Sequence, residues 1–512
     1  MTRATQSVVV VGGGTAGWIT AGRIAARHST RTGGVRVTLI ESPTIPSIGV
    51  GEGTWPTMRN TLRKIGITET QFIRECEATF KQGAKFARWV NGDADDFYYH
   101  PLVLPQGFTK INLAPYWHRD GRGRSFSSAV CYQEAMCEQG LAPKLITSPE
   151  YAGVANYAYH LNAGRFAELL RQHCIEKLGV HHLLDDVTGV NAAPNGDIAS
   201  VATAVNGAIE GDLFVDCTGF SSLLIGRHFG VPFVDRGDVL FVDNALAVQV
   251  PYEDTNSPIA CHTISTAQAA GWIWDIGLQS RRGVGYVYSS NHVDHDTAVT
   301  TLRNYVGSRV DGLSIRRIPI RSGHRRLFWQ NNCVAVGLSA GFLEPLEASA
   351  LVLVELSAEM ISEQLPPCRE VMDVVAKRFN QTFSYRWDRI IDFLKLHYLL
   401  SQRREAFWRD NRDSASVPDS LREQLDLWRY CIPGNHDFTS NNEVFPAASY
   451  QYVLYGMGFR TNVRYLEHTL SQADHAREQF EQNDRAIQQA LATFPAHRDL
   501  LQLVRQYGFQ PL

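Results

Sequence analysis

The chain has 512 residues, 44% of them hydrophobic and 20% charged, which is enough apolar material for a large folded core and excludes a disordered chain. A formal net charge of -3 leaves no broad basic field for a phosphate backbone, so nucleic acid is excluded as a partner. Residues 1–7 carry one arginine before a short apolar run, so neither a signal peptide nor a membrane span is expected, and none of the nine cysteines forms a C-x-x-C pair suited to zinc or redox work. The reading is a cytoplasmic protein with buried free thiols and no metal.

In chain order, residues 7–11 form a β-branched strand that runs into Gly12-Gly13-Gly14-Thr15-Ala16-Gly17 and then a helix over 18–27. Gly12 suits the tight turn, Gly14 lets backbone approach a pyrophosphate, and Gly17 allows close packing of a helix whose N-terminus favours phosphate. A second strand over 35–40 ends in Glu41, where a carboxylate can accept the ribose hydroxyls of an unphosphorylated dinucleotide. An ordinary strand-to-helix connection would explain the glycines alone; strand, glycines and terminal acid together point to a nucleotide. FAD and NAD both remain open at this stage. Residues 212–219 and 332–339 each read as a buried strand meeting a glycine turn, and such returns suit a large flavin. This arrangement resembles the glutathione-reductase-like flavoproteins. It implies an α/β, Rossmann-type FAD-binding core over 1–378, followed by a mainly helical cap over 379–512, where the pattern turns helical and aromatic. No second G-x-G-x-x-G is present for a nicotinamide cofactor, so reduced flavin has to come from a separate flavin reductase.

More specific segments narrow the family. Gly17-Trp18 after the glycine turn, the strap from Ile45 through Gly49, Gly51, Glu52 and Gly53, the Thr79-Phe80-Lys81 stretch with Lys85 and Trp89, Tyr98-Tyr99-His100, Trp272-Ile273-Trp274, Glu344-Pro345-Leu346-Glu347 and Asp392 to Tyr398 occur in one order along the chain. They resemble the flavin-dependent tryptophan halogenases. The Trp272/Trp274 pair matches the family signature, which in the family sits near the flavin and discourages monooxygenase chemistry, although Gly277 stands where the family has proline. Without the other matches this pair would read as aromatics in a half-buried strand.

The resemblance implies an oxidoreductase that takes FADH2, O2 and chloride or bromide to halogenate a small, electron-rich aromatic. Lys81 would hold hypohalous acid against the ring and Glu347 would orient it and take the ring proton. Taken alone, Lys81 would read as a surface cation and Glu347 as a helix N-terminal acid before a helix over 348–364. Ser349 and Ala350 would line the halide site. There, Ala348-Ser349-Ala350 departs from the family's serine, threonine, glycine order, which favours bromide over chloride. Flavin contacts carried over by position are Gly14, Thr15, Ala16, Ser42, Ile45, Glu52, Gly53, Val187, Leu338 and Leu351. His100 falls in the family's substrate pocket, but Leu102 replaces its stacking aromatic, and no amino-acid-clamping insertion is found around Tyr450 to Gly458, so an indole or a larger aromatic is expected rather than free tryptophan. The resemblance alone suggests a homodimer. An aromatic monooxygenase is the alternative, though it would not need Lys81.

Overall fold

The computed structural model describes residues 4–28, 34–45, 51–120, 123–440 and 443–511. Two compact units interleave along the chain. One takes in Met1–Ala78, Leu161–Arg236 and Arg321–Trp387; the other takes in Thr79–His160, Gly237–Ile320 and Asp388–Leu512. The expected division between 378 and 379 falls inside a single helix, Arg369–Leu399. Helical periodicity marks that helix in sequence, but nothing in it announces that the chain crosses between units four times before it.

The first unit is built on a six-stranded sheet in the order Trp329–Gln330, Cys333–Ala335, Leu213–Asp216, Ser7–Val11, Arg36–Glu41, His181–Leu184. All its pairings are parallel except the edge pair of Trp329–Gln330 with Cys333–Ala335. Every residue of Ser7–Val11 is buried, as a central parallel strand with covered faces requires. The helix after it, Thr15–Arg27, starts three residues before the expected one and buries its whole stretch from Gly17 to Ala25. Residues 212–219 and 332–339 do return as the neighbouring strands of this sheet, so the α/β, Rossmann-type reading holds. A separate antiparallel sheet of Val187–Ala192, Ile198–Thr203 and Ala208–Glu210 belongs to the same unit.

The second unit centres on a seven-stranded sheet in the order Arg316–Pro319, Asn244–Pro251, Arg281–Tyr288, Gly271–Gly277, Thr263–Gln268, Gly83–Ala87, Phe97–Pro101. It is antiparallel apart from the Thr263–Gln268 and Gly83–Ala87 pair. Its core packs Leu246, Val248, Ile273, Val284 and Tyr286 against Ala298 and Leu302 of helix His295–Val306. The C-terminal third is helical, including Ala447–Gly456, Ala473–Thr493 and His497–Tyr507. Gln472 is the N-cap of Ala473–Thr493 and makes no side-chain capping bond. Among the described residues no helix is long and apolar enough to cross a membrane.

Candidate active site: a nucleotide cradle and a buried lysine

In the first unit the glycine turn has the shape a phosphate needs. Gly12 has φ +117°, and a Cβ there would stand 2.2 Å from the Cys217 carbonyl oxygen; a Cβ on Gly17 would stand 1.9 Å from the Gly12 oxygen. Neither position accepts a side chain without moving backbone. A Cβ on Gly14, by contrast, meets nothing within 4 Å, and Gly14 caps helix Thr15–Arg27 with no side-chain bond to its first amides and no acid in its first turn. The amides of Thr15 and Ala16 therefore open onto space at the positive end of a helix, where an anion is stabilised. The chain fits a dinucleotide pyrophosphate here.

Glu41 closes its strand beside this turn, and a Cβ on Gly13 would stand 2.2 Å from its Cγ. Its Oε2 lies 2.9 Å from His182 Nε2, and the His182 ring meets Trp18 edge-on at 5.2 Å. His182 holds the carboxylate in place, a role invisible in sequence because it depends on the parallel pairing of His181–Leu184 with Arg36–Glu41. The Ser42 hydroxyl bonds the Thr44 amide and hydroxyl, while Ile45 is 74% exposed. Residues 46–50 of the strap lie outside the described residues. Where it resumes, Glu52 and Gly53 form a short strand, and burial pushes the Glu52 carboxyl up to about 7. Val187 begins the separate antiparallel sheet. Leu338 sits in the turn Gly337–Ser339, where a Cβ on Gly337 would stand 2.8 Å from the Ala16 Cβ, so this late segment reaches the first glycine turn.

Glu347 is buried, and its backbone carbonyl accepts from Trp55 Nε1 at 2.8 Å. Ala348 follows with φ +55°, a left-handed conformation uncommon for a residue with a Cβ, and serves as N-cap of helix Ser349–Glu363 without a side-chain capping bond. Ser349 is buried, Ala350 is exposed, and Leu351 is buried on the first turn. Further along that helix, Glu355 is buried and accepts from Thr61 Oγ1 at 2.5 Å and Thr57 Oγ1 at 3.2 Å. Burial pushes its carboxyl up to about 8, more than those hydroxyls pull it down.

In the second unit Lys81 ends strand Thr79–Lys81, antiparallel to Ala158–Leu161, and is 4% exposed. It is therefore a buried lysine and not the surface one its composition alone suggests. The strand is fixed on both sides. Thr79 Oγ1 donates to the Gly277 carbonyl at 2.6 Å, and the Phe80 amide donates to His497 Nε2 at 2.9 Å. His497 Nδ1 lies 3.1 Å from the Ile259 carbonyl, which makes Nδ1 the protonated nitrogen. Burial holds the His497 pKa below the ordinary histidine value. His160, bonded to Thr263 Oγ1 at 2.9 Å, is held well below it too, by burial first and then by the Lys81 charge. His160 is thus a neutral imidazole beside Lys81, while His497 holds the strand one residue before it. His497 lies far from any motif in sequence, and no signal there marks it.

Trp272 and Trp274 lie in Gly271–Gly277, which is buried along its whole length rather than half-buried; their rings are 6.4 Å apart and steeply inclined. A Cβ on Gly277 would stand 2.7 Å from Ile259 Cγ2, so glycine relieves crowding at this strand end. His100 is buried, with Nε2 2.9 Å from Ser449 Oγ and its ring tilted against Phe393.

The family model described as tryptophan halogenase matches residues 7–472. The tryptophan 6-halogenase SttH of Streptomyces toxytricini is 34% identical over 479 residues, covering 89% of this chain and 90% of that protein. The crystal structure of a tryptophan halogenase from Shewanella frigidimarina NCIMB 400 is 50% identical, covers 100% of this chain and 99% of its own, and superposes with a TM-score of 0.97. BrvH, a flavin-dependent halogenase from Brevundimonas sp. BAL3, is 33% identical with a TM-score of 0.86, covering 98% and 99% of the two chains.

Proposed function

Given that this chain belongs to the flavin-dependent tryptophan halogenase family and is an oxidoreductase, we propose that it halogenates an indole or related electron-rich aromatic with chloride or bromide, using Lys81 and Glu347. The observation that carries the reading is the placement of Lys81, 4% exposed, on a strand held by Thr79 on one side and by the Phe80 amide on the other, because burial and fixed neighbours tune a lysine toward chemistry.

FAD, brought as FADH2 by a separate reductase, would be held by Gly12, Gly14, Thr15, Ala16 and Gly17 at its pyrophosphate and by Glu41 at its ribose. Ser42, Ile45, Glu52, Gly53, Val187, Leu338 and Leu351 would complete its contacts. When bound and reduced it supplies, with O2, the oxidising equivalents that turn halide into hypohalous acid. The amides of Ser349 and Ala350, at a helix start with no capping side chain, suit the halide. The Lys81 ammonium hydrogen-bonds the hypohalous acid and gives its oxygen a proton as the oxygen–halogen bond breaks and the carbon–halogen bond forms; water leaves. The Glu347 carboxylate accepts the ring proton, restoring aromaticity. A neutral His160 beside Lys81 spares the site a second positive charge. His100 would border the substrate. The free thiols suit a reducing, cytoplasmic setting, and a homodimer is carried over from the family.

The test is mass spectrometry of indole and of tryptophan, each incubated with the protein, FAD, a flavin reductase, NADH, O2 and bromide. The expected result is a bromine isotope doublet on indole that vanishes in Lys81→Ala while FAD binding is retained. An undiminished doublet in the variant, or hydroxylated product alone, overturns the proposal.

A further inference from the structure

In the unit that carries Lys81, Cys137, Cys261 and His262 are all buried, and each offers a ligand atom within 4.8 Å of the other two. Cys137 comes from helix Gln133–Glu138, whereas Cys261 and His262 occupy the bend just before strand Thr263–Gln268. Inside a strand consecutive side chains point to opposite faces, so the bend is what lets these two neighbours converge. Within the cluster Cys261 hydrogen-bonds both Cys137 and His262, yet one ring nitrogen is left over. His262 is 7% exposed, yet its Nδ1 has no hydrogen-bond partner among the described residues, and its Nε2 is 3.4 Å from the Tyr99 hydroxyl. The Cys261 sulfur lies 4.0 Å from the carbonyl oxygens of both Met136 and Cys137, the weakest of contacts. A buried polar nitrogen left unpaired is costly, and on a ring that lies beside two thiols it points to a missing ligand.

We propose that Cys137, Cys261 and His262 form a zinc site, with a water completing the tetrahedron. Zinc–ligand bonds of about 2.0–2.3 Å place tetrahedral ligand atoms roughly 3.5–3.8 Å apart, within the spacing found here. Charge selects the ion. Two thiolates and a neutral imidazole make a neutral complex with a divalent cation, which burial tolerates, whereas monovalent copper would leave a buried negative charge. Binding releases two thiol protons to solvent and involves no oxidation. The ion would also brace the halogenating strand, because the Cys261 carbonyl accepts from the amide of Gln82, the residue after Lys81, at 2.7 Å. Nothing in the sequence signals this, since the two cysteines lie 124 positions apart.

The experiment uses the whole protein, reduced with a phosphine, stripped with a chelator, incubated with zinc chloride and desalted before elemental analysis. About one zinc per chain is expected to remain, with a raised melting temperature, and Cys137→Ser and His262→Ala should each lower retention at least about tenfold. Cys76→Ser, at a buried cysteine of the other unit, should keep the metal. Cobalt added to the wild-type protein should give thiolate-to-metal absorption in the near ultraviolet, a readout that does not depend on any variant folding. Negligible zinc in the wild type, or zinc with no cobalt–thiolate absorption, overturns the proposal. So does finding two thiols that react only after reduction in a metal-free protein, which would mark a disulfide instead.

Discussion

Replacing Glu355 with glutamine should stabilise the protein at pH 8 and do much less at pH 5.5. Glu355 is 3% exposed, and burial raises its carboxyl from an ordinary value near 4.5 to about 8. Because the folded-state pKa is raised, the folded protein holds a proton that the unfolded chain releases, and stability falls as pH rises from the unfolded value through the folded one. The shift spans about 3.5 units, of which about 2.2 fall between pH 5.5 and 8, so at 1.36 kcal/mol per unit the wild type loses on the order of 3 kcal/mol over that range through this group. Glutamine keeps the size, and its amide can still bond the Thr57 and Thr61 hydroxyls, so Glu355→Gln removes the titration without opening a cavity. Denaturant or thermal unfolding of both proteins at several pH values measures the difference. A wild-type-minus-variant stability difference that stays flat between pH 5.5 and 8 would refute the reasoning, and would mean that the carboxyl is ionised and paired in the folded state.

On the acid side, His160 and His497 are held neutral with depressed pKa values, so the unfolded chain binds more protons and stability should fall as pH drops below about 6.5, visible as a falling melting temperature in a pH series. His497→Ala leaves the Phe80 amide and the Ile259 carbonyl buried without partners, at a cost of about 2–5 kcal/mol, and should cut kcat with little change in FAD affinity; His497→Gln should recover part of both losses in turnover and melting assays. Gly17→Ala forces a Cβ to 1.9 Å from the Gly12 oxygen and should weaken FAD binding at least about tenfold in a flavin-fluorescence titration, without touching the residues around Lys81. With bromide and chloride at equal concentration, brominated product should dominate by mass spectrometry, because an N-cap alanine gives the halide no hydroxyl to replace its hydration and bromide has less hydration to lose.

How much of this was legible in the sequence follows the distance over which each feature is encoded. The cradle is local: Ser7–Val11, the three glycines and the helix after them lie within one strand–turn–helix, and the structure reproduces their geometry almost residue for residue. Glu41 was legible because it ends the next strand, but its partner His182 was not, since only the sheet order brings residues 41 and 182 together. The helix after Glu347 was legible from its apolar run, whereas the left-handed Ala348 before it was not, because nothing about an alanine announces a positive φ.

Lys81 marks the limit of local reading. Its neighbours in sequence resemble a family motif, but its burial depends on partners drawn from residues 158–160, 261–277 and 497, which no periodicity connects. The strand is held by the Gly277 carbonyl and by His497, and both His497 and the nearby His160 are kept neutral. That choice has a physical consequence. A neutral imidazole beside a buried lysine adds no like-charge repulsion, whereas a neighbouring cation would drive the lysine to lose its proton. A chain read only for motifs finds the lysine; its burial and the fixing of its strand lie in side chains that carry no motif at all.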